Sequence, residues 1–229
     1  MIIPILICLL IIGTGILVVI TDKGMRKQRI IIKTITSSVF VLIGIFSYLK
    51  YKNDFLYFLL LIIGAGSSFF GDVFLAISSK SERNSSNTNL IIGASCFFLA
   101  QLLYSSAFIS KVGYNFVLLF IPLIGIIILF LATLSRTNTL EVGKLKIPLL
   151  IYGLSVCFTC SASVNFLIVY GLDSFLSIVA FGGILFLISD FLLIYKYFHK
   201  DYYPRTINFI YLSTYYLAQL IYMISLVWN

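Results

Sequence analysis

Charged residues are scarce in this chain, and acidic ones are the scarcest. Only 10% of the 229 residues are charged, and eight of them are Asp or Glu. Apolar residues make up 61% of the chain, and the mean hydropathy is +1.09. An average soluble domain has about 25% charged residues and far fewer apolar ones. The composition therefore excludes a soluble domain and indicates an all-α, polytopic membrane protein.

Histidine and cysteine are too few for most metal or redox chemistry. His199 is the single histidine, and we expect its side chain to lie in a solvated loop. A zinc site ordinarily needs several His or Cys ligands. Cys157 and Cys160 have C-x-x-C spacing, but both stand in an apolar segment, where a free Cys behaves as a small apolar residue. The sequence therefore predicts no metal site and no cofactor.

Long apolar segments account for nearly the whole chain. Each is about 20 residues long, which is enough to cross a hydrocarbon core of about 30 Å at helical rise. The eight predicted spans are 3–20, 30–49, 55–78, 90–109, 114–133, 146–166, 174–195 and 206–227. We therefore expect one integral membrane domain over residues 1–229, with short loops that leave no room for a separate soluble domain.

Basic residues are distributed unevenly between the predicted loops. The loops after the first, third, fifth and seventh spans hold 12 Lys and Arg, whereas the other side holds Lys50, Lys52 and Lys111. The positive-inside rule then places the basic loops in the cytoplasm and both termini outside. We expect a multi-pass protein of a bacterial cell membrane. Because this excess accounts for most of the net charge of +8, the charge does not indicate a nucleic-acid partner.

Two stretches of the chain repeat each other in the same order. The first holds Asp72, Gln101 and Tyr104, and the second holds Asp190, Gln219 and Tyr222. The Asp and Gln are 29 residues apart in both copies, and the Gln and Tyr are three apart. The copies are offset by 118 residues, or four predicted spans, so both would have the same orientation in the membrane. This predicts a 4+4 parallel repeat with the two Asp helices facing a central cavity.

Asp72 and Asp190 are the strongest functional signal because no other acidic residue falls within an apolar segment. Helical rise places both near the cytoplasmic ends of their spans, and Lys33 lies on the same side. An Asp near a helix centre is disfavoured by about 2.5 to 3.5 kcal/mol on insertion scales, so both should face inward. The alternative is that each Asp is a hydrogen-bond tie between helices, while Lys33 extends to the surface.

Five further polar residues are candidates for the wall of a substrate pocket. Ser68 lies one turn before the first Asp on the same helical face. Gln101, Tyr104, Gln219 and Tyr222 lie deeper in the membrane, on the spans that follow each Asp span. Their simpler interpretation is hydrogen bonding between helices. We therefore expect these residues to support a site rather than to carry its chemistry.

Several of these motifs, taken in order, resemble the YhhN-type lysoplasmalogenase family. They are Gly71-Asp72-x-x-Leu75, the Gly-rich fourth span from Gly93 to Tyr104, the stretch from Gly182-Gly183 to Ser189-Asp190, and Ala218-Gln219. Lys33 corresponds to the family's Lys-Pro at the start of the second span, although Thr34 replaces the Pro. Gln101 stands where family members often carry His.

The resemblance implies a hydrolase that cleaves the vinyl ether bond of a lysoplasmalogen. The products would be a fatty aldehyde and glycerophosphocholine or glycerophosphoethanolamine. One Asp would protonate the double bond, while the other would stabilise the resulting cation or activate water, as paired carboxyl groups do in glycosidases. Burial and mutual repulsion would keep one Asp protonated. The lipid would come from the bilayer, with its phosphate near Lys33.

Two other functions use the same residues. A proton- or cation-coupled transporter could carry its coupling ion on the Asp pair. However, the two Asp spans have no Pro near the Asp and no broken segment of the kind that binds transported ions. The third alternative is a non-catalytic membrane scaffold, for which the repeated Asp, Gln and Tyr spacing would be superfluous.

Overall fold

Long helices form the described part of the computed structural model. The structure describes residues 2–52, 54–78, 88–113, 120, 124–125, 128, 146–198 and 205–227. The helices are α1 (Ile2–Asp22), α2 (Arg26–Tyr51), α3 (Phe55–Ile77), α4 (Thr88–Val112), α5 (Lys146–Tyr170), α6 (Ile178–Phe198) and α7 (Arg205–Ile224). Short 3-10 turns at Phe175–Ser177 and Ser225–Val227 precede α6 and follow α7.

These helices confirm an all-α integral membrane protein. Within the described residues, seven helices are long and apolar enough to cross a membrane, and they match seven of the predicted spans. The predicted span 114–133 falls almost entirely outside the described residues, as does His199. The eight-helix count and the 4+4 repeat therefore stay predictions.

Helix α2 begins one turn earlier than its apolar residues predict, at Arg26. Arg26 and Arg29 donate from their guanidinium groups to the carbonyl oxygens of Ile77 and Ala76. Those carbonyls belong to the last turn of α3, where no backbone N–H group of the same helix is available to donate to them. These contacts hold the basic first turn of α2 in helical form. Lys33 consequently lies about two turns inside α2, whereas the predicted span, which begins at residue 30, would place it in the first turn.

Each described helix runs either toward or away from one end of the bundle, so the helix ends meet in two layers. In one layer, the Tyr197 hydroxyl donates to the Leu75 carbonyl at 3.0 Å, which joins the ends of α6 and α3. In the same layer, the Asn208 amide donates to Asp22 at 2.7 Å, which joins the start of α7 to the end of α1. We name this layer the basic end. There α1, α3 and α6 end, and α2, α4, α5 and α7 begin.

Glycine allows close approach in two helix pairs. A Cβ atom at Gly64 of α3 would lie 2.7 Å from the Tyr104 ring of α4. A Cβ atom at Gly182 of α6 would lie 2.9 Å from the Tyr222 ring of α7. Both distances are too short for real contacts, so only glycine allows this packing. The two pairs are related by the 118-residue offset of the sequence repeat.

Candidate active site

Asp72 is a buried carboxylate that accepts hydrogen bonds from two other helices. Lys33 Nζ lies 2.8 Å from Oδ1. Ser37 Oγ and the Tyr215 hydroxyl donate to Oδ2 at 2.6 and 2.8 Å. Lys33 and Ser37 are one turn apart on α2, whereas Tyr215 comes from α7. Because an ammonium and two hydroxyls donate to it, this carboxylate is stabilised as an anion.

Asp190 is equally buried, but the groups that donate to it within the described residues are uncharged. It lies on α6 and is 3% exposed. The Tyr152 hydroxyl of α5 donates to Oδ2 at 2.7 Å, and Gln101 Nε2 of α4 lies 3.4 Å from the same oxygen. Within the described part of the chain, both donors to Asp190 are therefore neutral. The two carboxyl groups differ in the charge of their partners, not in their depth of burial.

A chain of hydrogen bonds orients the Tyr215 hydroxyl toward Asp72. Gln219 Nε2 donates to the Tyr215 oxygen at 3.3 Å, and Gln219 Oε1 accepts from the Tyr104 hydroxyl at 2.7 Å. Ser68 Oγ lies 3.3 Å from the Tyr104 oxygen. Because each hydroxyl accepts one bond and donates another, the Tyr215 proton points at the Asp72 carboxylate. Three of the predicted wall residues therefore support Asp72 through Tyr215.

The corresponding pair in the other half of the repeat is not bonded. Tyr222 and Gln101 are the counterparts of Tyr104 and Gln219 at the 118-residue offset. The Tyr222 hydroxyl and Gln101 Oε1 are fully buried and form no hydrogen bond within the part of the chain that the structure describes. Tyr222 instead packs its ring against Tyr104 at a centroid distance of 5.1 Å. The two halves therefore share a packing pattern but not a hydrogen-bond pattern.

Aromatic rings enclose the polar groups. The Phe186 ring, one turn before Asp190, packs 5.5 Å from the Tyr215 ring and 6.2 Å from the Tyr104 ring. Phe97 of α4 lies 5.9 Å from Tyr215 on another side. Such surroundings exclude water and strengthen electrostatic interactions.

An apolar cavity of about 380 Å³ borders the Asp190 side of the site. It lies between α3, α4, α5 and α6 near the basic end, and nearly all its lining is hydrocarbon. Tyr152 lines this cavity, so the phenol that donates to Asp190 forms part of the cavity wall. Ligand pockets commonly have volumes of about 300 to 1,000 Å³ and mostly apolar walls. The cavity is suited to a hydrocarbon chain.

Comparison with known proteins places the chain in a family. A model of the YhhN family matches residues 28–226. The chain belongs to the YhhN family. The matched range includes every residue of the site described above, and it confirms the resemblance found in the motifs. No curated protein and no solved structure gives a significant match.

The structure of this YhhN family member adds three site residues that the sequence analysis missed. Ser37, Tyr152 and Tyr215 each donate directly to one of the two Asp residues. Helical spacing offers a signal for two of them, because Ser37 follows Lys33 by four residues and Tyr215 precedes Gln219 by four. No spacing pattern distinguishes Tyr152 from the other tyrosines of the chain.

The described residues of this YhhN family member contain no obvious set of ligands for a metal ion. No group of three His, Cys, Asp or Glu side chains lies close enough there to hold an ion. Cys157 and Cys160 are buried in α5 as free thiols.

Proposed function

We propose that this YhhN family member is a lysoplasmalogenase-like ether hydrolase. It would cleave the vinyl ether bond of a lysoplasmalogen to a fatty aldehyde and glycerophosphocholine or glycerophosphoethanolamine. Family membership is consistent with a hydrolase. The observation that carries the specific reaction is a pair of buried carboxyl groups in unlike surroundings. Asp72 is paired with an ammonium, whereas Asp190 has neutral donors beside an apolar cavity.

The proposed reaction needs one proton donor and one anion. The acid transfers a proton to the double-bond carbon farther from the ether oxygen, which leaves an oxocarbenium ion. Water adds to the carbon next to the ether oxygen and returns a proton to the site, giving a hemiacetal. Collapse of the hemiacetal releases the aldehyde and the glycerol hydroxyl. The net reaction converts one vinyl ether and one water into one aldehyde and one alcohol, so no cofactor is consumed.

The partners of each carboxyl group support a division of these roles. Protonation of Asp72 would leave the Lys33 ammonium, 2.8 Å away, without its counter-charge. We therefore assign Asp72 as the anion that stabilises the oxocarbenium ion. Asp190 has only neutral donors in the described part of the chain and lies next to the proposed tail cavity. We therefore assign Asp190 as the general acid.

The sequence repeat explains how two similar halves acquire different roles. At the 118-residue offset, the counterpart of Lys33 is Ile151 on α5. Its neighbour Tyr152 supplies the donor to Asp190 instead. The ion pair with Lys33 therefore has no counterpart at Asp190. This difference supports one acid and one anion rather than two equivalent carboxyl groups.

The apolar cavity and the basic end support the proposal that the substrate is a lipid that reaches the site from the bilayer. In this proposal a single hydrocarbon tail occupies the apolar cavity, whose wall includes Tyr152, the donor to Asp190. The headgroup would then lie toward the basic end. The positive-inside rule assigns that end to the cytoplasm in this proposal.

The proposal is tested by aldehyde release from purified protein. Lysoplasmalogen should be cleaved, and the saturated ether analogue, which has no double bond to protonate, should not. Asp72→Asn and Asp190→Asn should each abolish release from protein that is verified to be folded, although Asp72→Asn leaves the buried Lys33 without its partner and should lower the melting temperature. Asp173→Asn, at an exposed position, is the control and should remain active. Cleavage of the saturated analogue, or normal release by either Asn variant at the site, would contradict the proposal.

A further inference from the structure

Two glutamine amides in the site differ in how firmly they are held. Gln219 of α7 is bonded at both ends, because its Nε2 donates to the Tyr215 hydroxyl at 3.3 Å and its Oε1 accepts from the Tyr104 hydroxyl at 2.7 Å. The Tyr215 proton is already donated to Asp72, so the Tyr215 oxygen can bond only to the nitrogen end of the amide. The Gln219 amide therefore has one orientation.

Gln101 of α4, its counterpart in the repeat, is bonded at one end. Its Nε2 lies 3.4 Å from Asp190 Oδ2, and its Oε1 forms no hydrogen bond within the described residues. The main chain at this position is nevertheless fixed, because the Thr159 hydroxyl of α5 donates to the Gln101 carbonyl oxygen at 2.9 Å. The amide group is consequently the part of this fully buried residue that is free to turn.

A half turn of the Gln101 amide requires no cavity. The terminal torsion of a Gln side chain is broad and roughly two-fold, and the half turn exchanges an oxygen and a nitrogen of similar size. In both orientations one end of the amide faces Asp190 and the other end has no partner among the described residues. That cost is common to both orientations. The proton on Asp190 then decides between them, because a carboxylate accepts from Nε2, whereas a carboxylic acid donates to Oε1.

The surroundings of the two carboxyl groups fit this difference. The Tyr152 hydroxyl donates to Asp190 Oδ2 at 2.7 Å, and Gln101 approaches the same oxygen. A protonated Oδ2 can accept from Tyr152 and donate its own proton to Gln101. Asp72 instead faces the Lys33 ammonium at 2.8 Å, which has donors and no acceptor. The amide that can turn thus lies beside the assigned acid, and the fixed amide supports the assigned anion.

We propose that Gln101 is a positioning residue whose amide turns when Asp190 gains or loses its proton. This rests on the proposed function, in which Asp190 is the general acid. Gln101 Oε1 accepts from the acid before the reaction. After Asp190 gives its proton to the double-bond carbon, Nε2 donates to the carboxylate that is left. The water that adds to the oxocarbenium ion returns one proton to Asp190, and the amide turns back.

The infrared carbonyl band of a carboxylic acid tests the turn independently of the reaction. Spectra of the full-length protein in detergent should contain such a band that is absent from Asp190→Asn. In Gln101→Met the band should move to higher wavenumber, because the acid has lost the acceptor for its proton. Its intensity should change little, since Gln101→Met removes a partner from the acid and from the carboxylate alike. Gln219→Met is the control and should not move the band.

A Gln101 amide that only donates predicts the opposite spectrum. Its loss would destabilise the carboxylate alone, so the band would keep its position and gain intensity in Gln101→Met. That result, loss of the band in folded Gln101→Met, or a wild-type protein without a band that depends on Asp190 would overturn the proposal. Melting temperatures give a second test. Gln219→Met breaks two hydrogen bonds and should destabilise more than Gln101→Met, and the reverse order would contradict a free Gln101 amide.

Aldehyde release separates the fate of this proposal from that of the proposed function. Gln101→Met should lower kcat about tenfold, as expected for one lost hydrogen bond at the acid, with little change in KM. An unchanged kcat would contradict a positioning role. If the band moves as expected but the wild-type protein releases no aldehyde, the amide turn stands and the proposed reaction fails. Release by a wild-type protein without the Asp190 band would leave the reaction standing and overturn the turn.

Discussion

Lys33 Nζ lies 2.8 Å from Asp72 Oδ1, and both side chains are buried. This ion pair joins α2 to α3 and distinguishes Asp72 from Asp190, whose described donors are a phenol and an amide. The pair therefore has a structural role and an electrostatic role. The two can be separated experimentally, because stability depends on neutralising the charge, whereas the proposed catalysis depends on keeping the Asp72 anion.

Removing the lysine alone should destabilise the protein. Lys33→Met leaves the buried Asp72 charge without its partner, and the expected cost is about 3 to 5 kcal/mol in the free energy of unfolding. The double variant Lys33→Met with Asp72→Asn removes both charges and should recover most of that stability, yet it should release no aldehyde. Unfolding in detergent measures the first effect. Equal stability of Lys33→Met and the wild type would show that Lys33 extends to the surface instead.

Two tyrosines related by the repeat should differ in their contribution to stability. Tyr104→Phe removes the donor to Gln219 and should lower the free energy of unfolding by about 1 kcal/mol. Tyr222→Phe removes a hydroxyl without a hydrogen bond in the structure, so it should be close to neutral. Both rings keep their packing in Phe, which makes the pair a matched comparison. A larger loss in Tyr222→Phe than in Tyr104→Phe would contradict these hydrogen-bond assignments.

Tyr152 should act as a positioning residue for the proposed acid. Tyr152→Phe keeps the ring but removes the donor to Asp190, so kcat for aldehyde release should fall about tenfold, as expected for one lost hydrogen bond in the reacting site. KM should change little, because the cavity wall keeps its shape. Tyr170→Phe, at the far end of the same helix, is the control. A rise in KM with normal kcat would assign Tyr152 to lipid binding alone.

Filling the apolar cavity should alter the preference for chain length. Ala94 lines the cavity on α4, and Ala94→Phe would occupy part of the space proposed for the tail. Aldehyde release from long-chain substrates should fall more than release from short-chain ones. Leu99→Phe adds bulk at a position of the same helix that is 49% exposed, outside the cavity, and should leave the preference unchanged. An equal loss for all chain lengths would argue against a tail in this cavity.

The sequence was sufficient to predict most of the helices and the position of the acidic pair. Apolar runs of the right length are unambiguous in a chain with so few charges. For the same reason, Asp72, Asp190 and Lys33 are conspicuous. Helical rise alone predicts that they lie near one level in the membrane. The start of α2 was placed too late because its first turn is held by contacts with α3 that hydropathy does not record.

The contacts within the site could not be predicted in the same way. Whether Lys33 reaches the surface or an acid depends on how α2 is rotated against α3, and hydrophobic spacing in a mostly buried helix does not define that rotation. Tyr152 and Tyr215 are two of 15 tyrosines, and their type alone does not indicate a role. Only one of the two Tyr–Gln pairs of the repeat forms a hydrogen bond. The sequence does not predict this difference, because both copies of the repeat keep the Tyr and the Gln.

The hydrogen bond from Tyr104 to Gln219 runs from α4 to α7, and so connects helices from the two halves of the chain. Gln101 of α4 similarly reaches Asp190 of α6. A carrier that rocks one half of its bundle against the other would have to break both links, deep in the protein, in every cycle. A catalyst has no such requirement, because only its substrate and product need to travel. The cross-linked interior thus favours a stationary bundle that works on lipids diffusing to it.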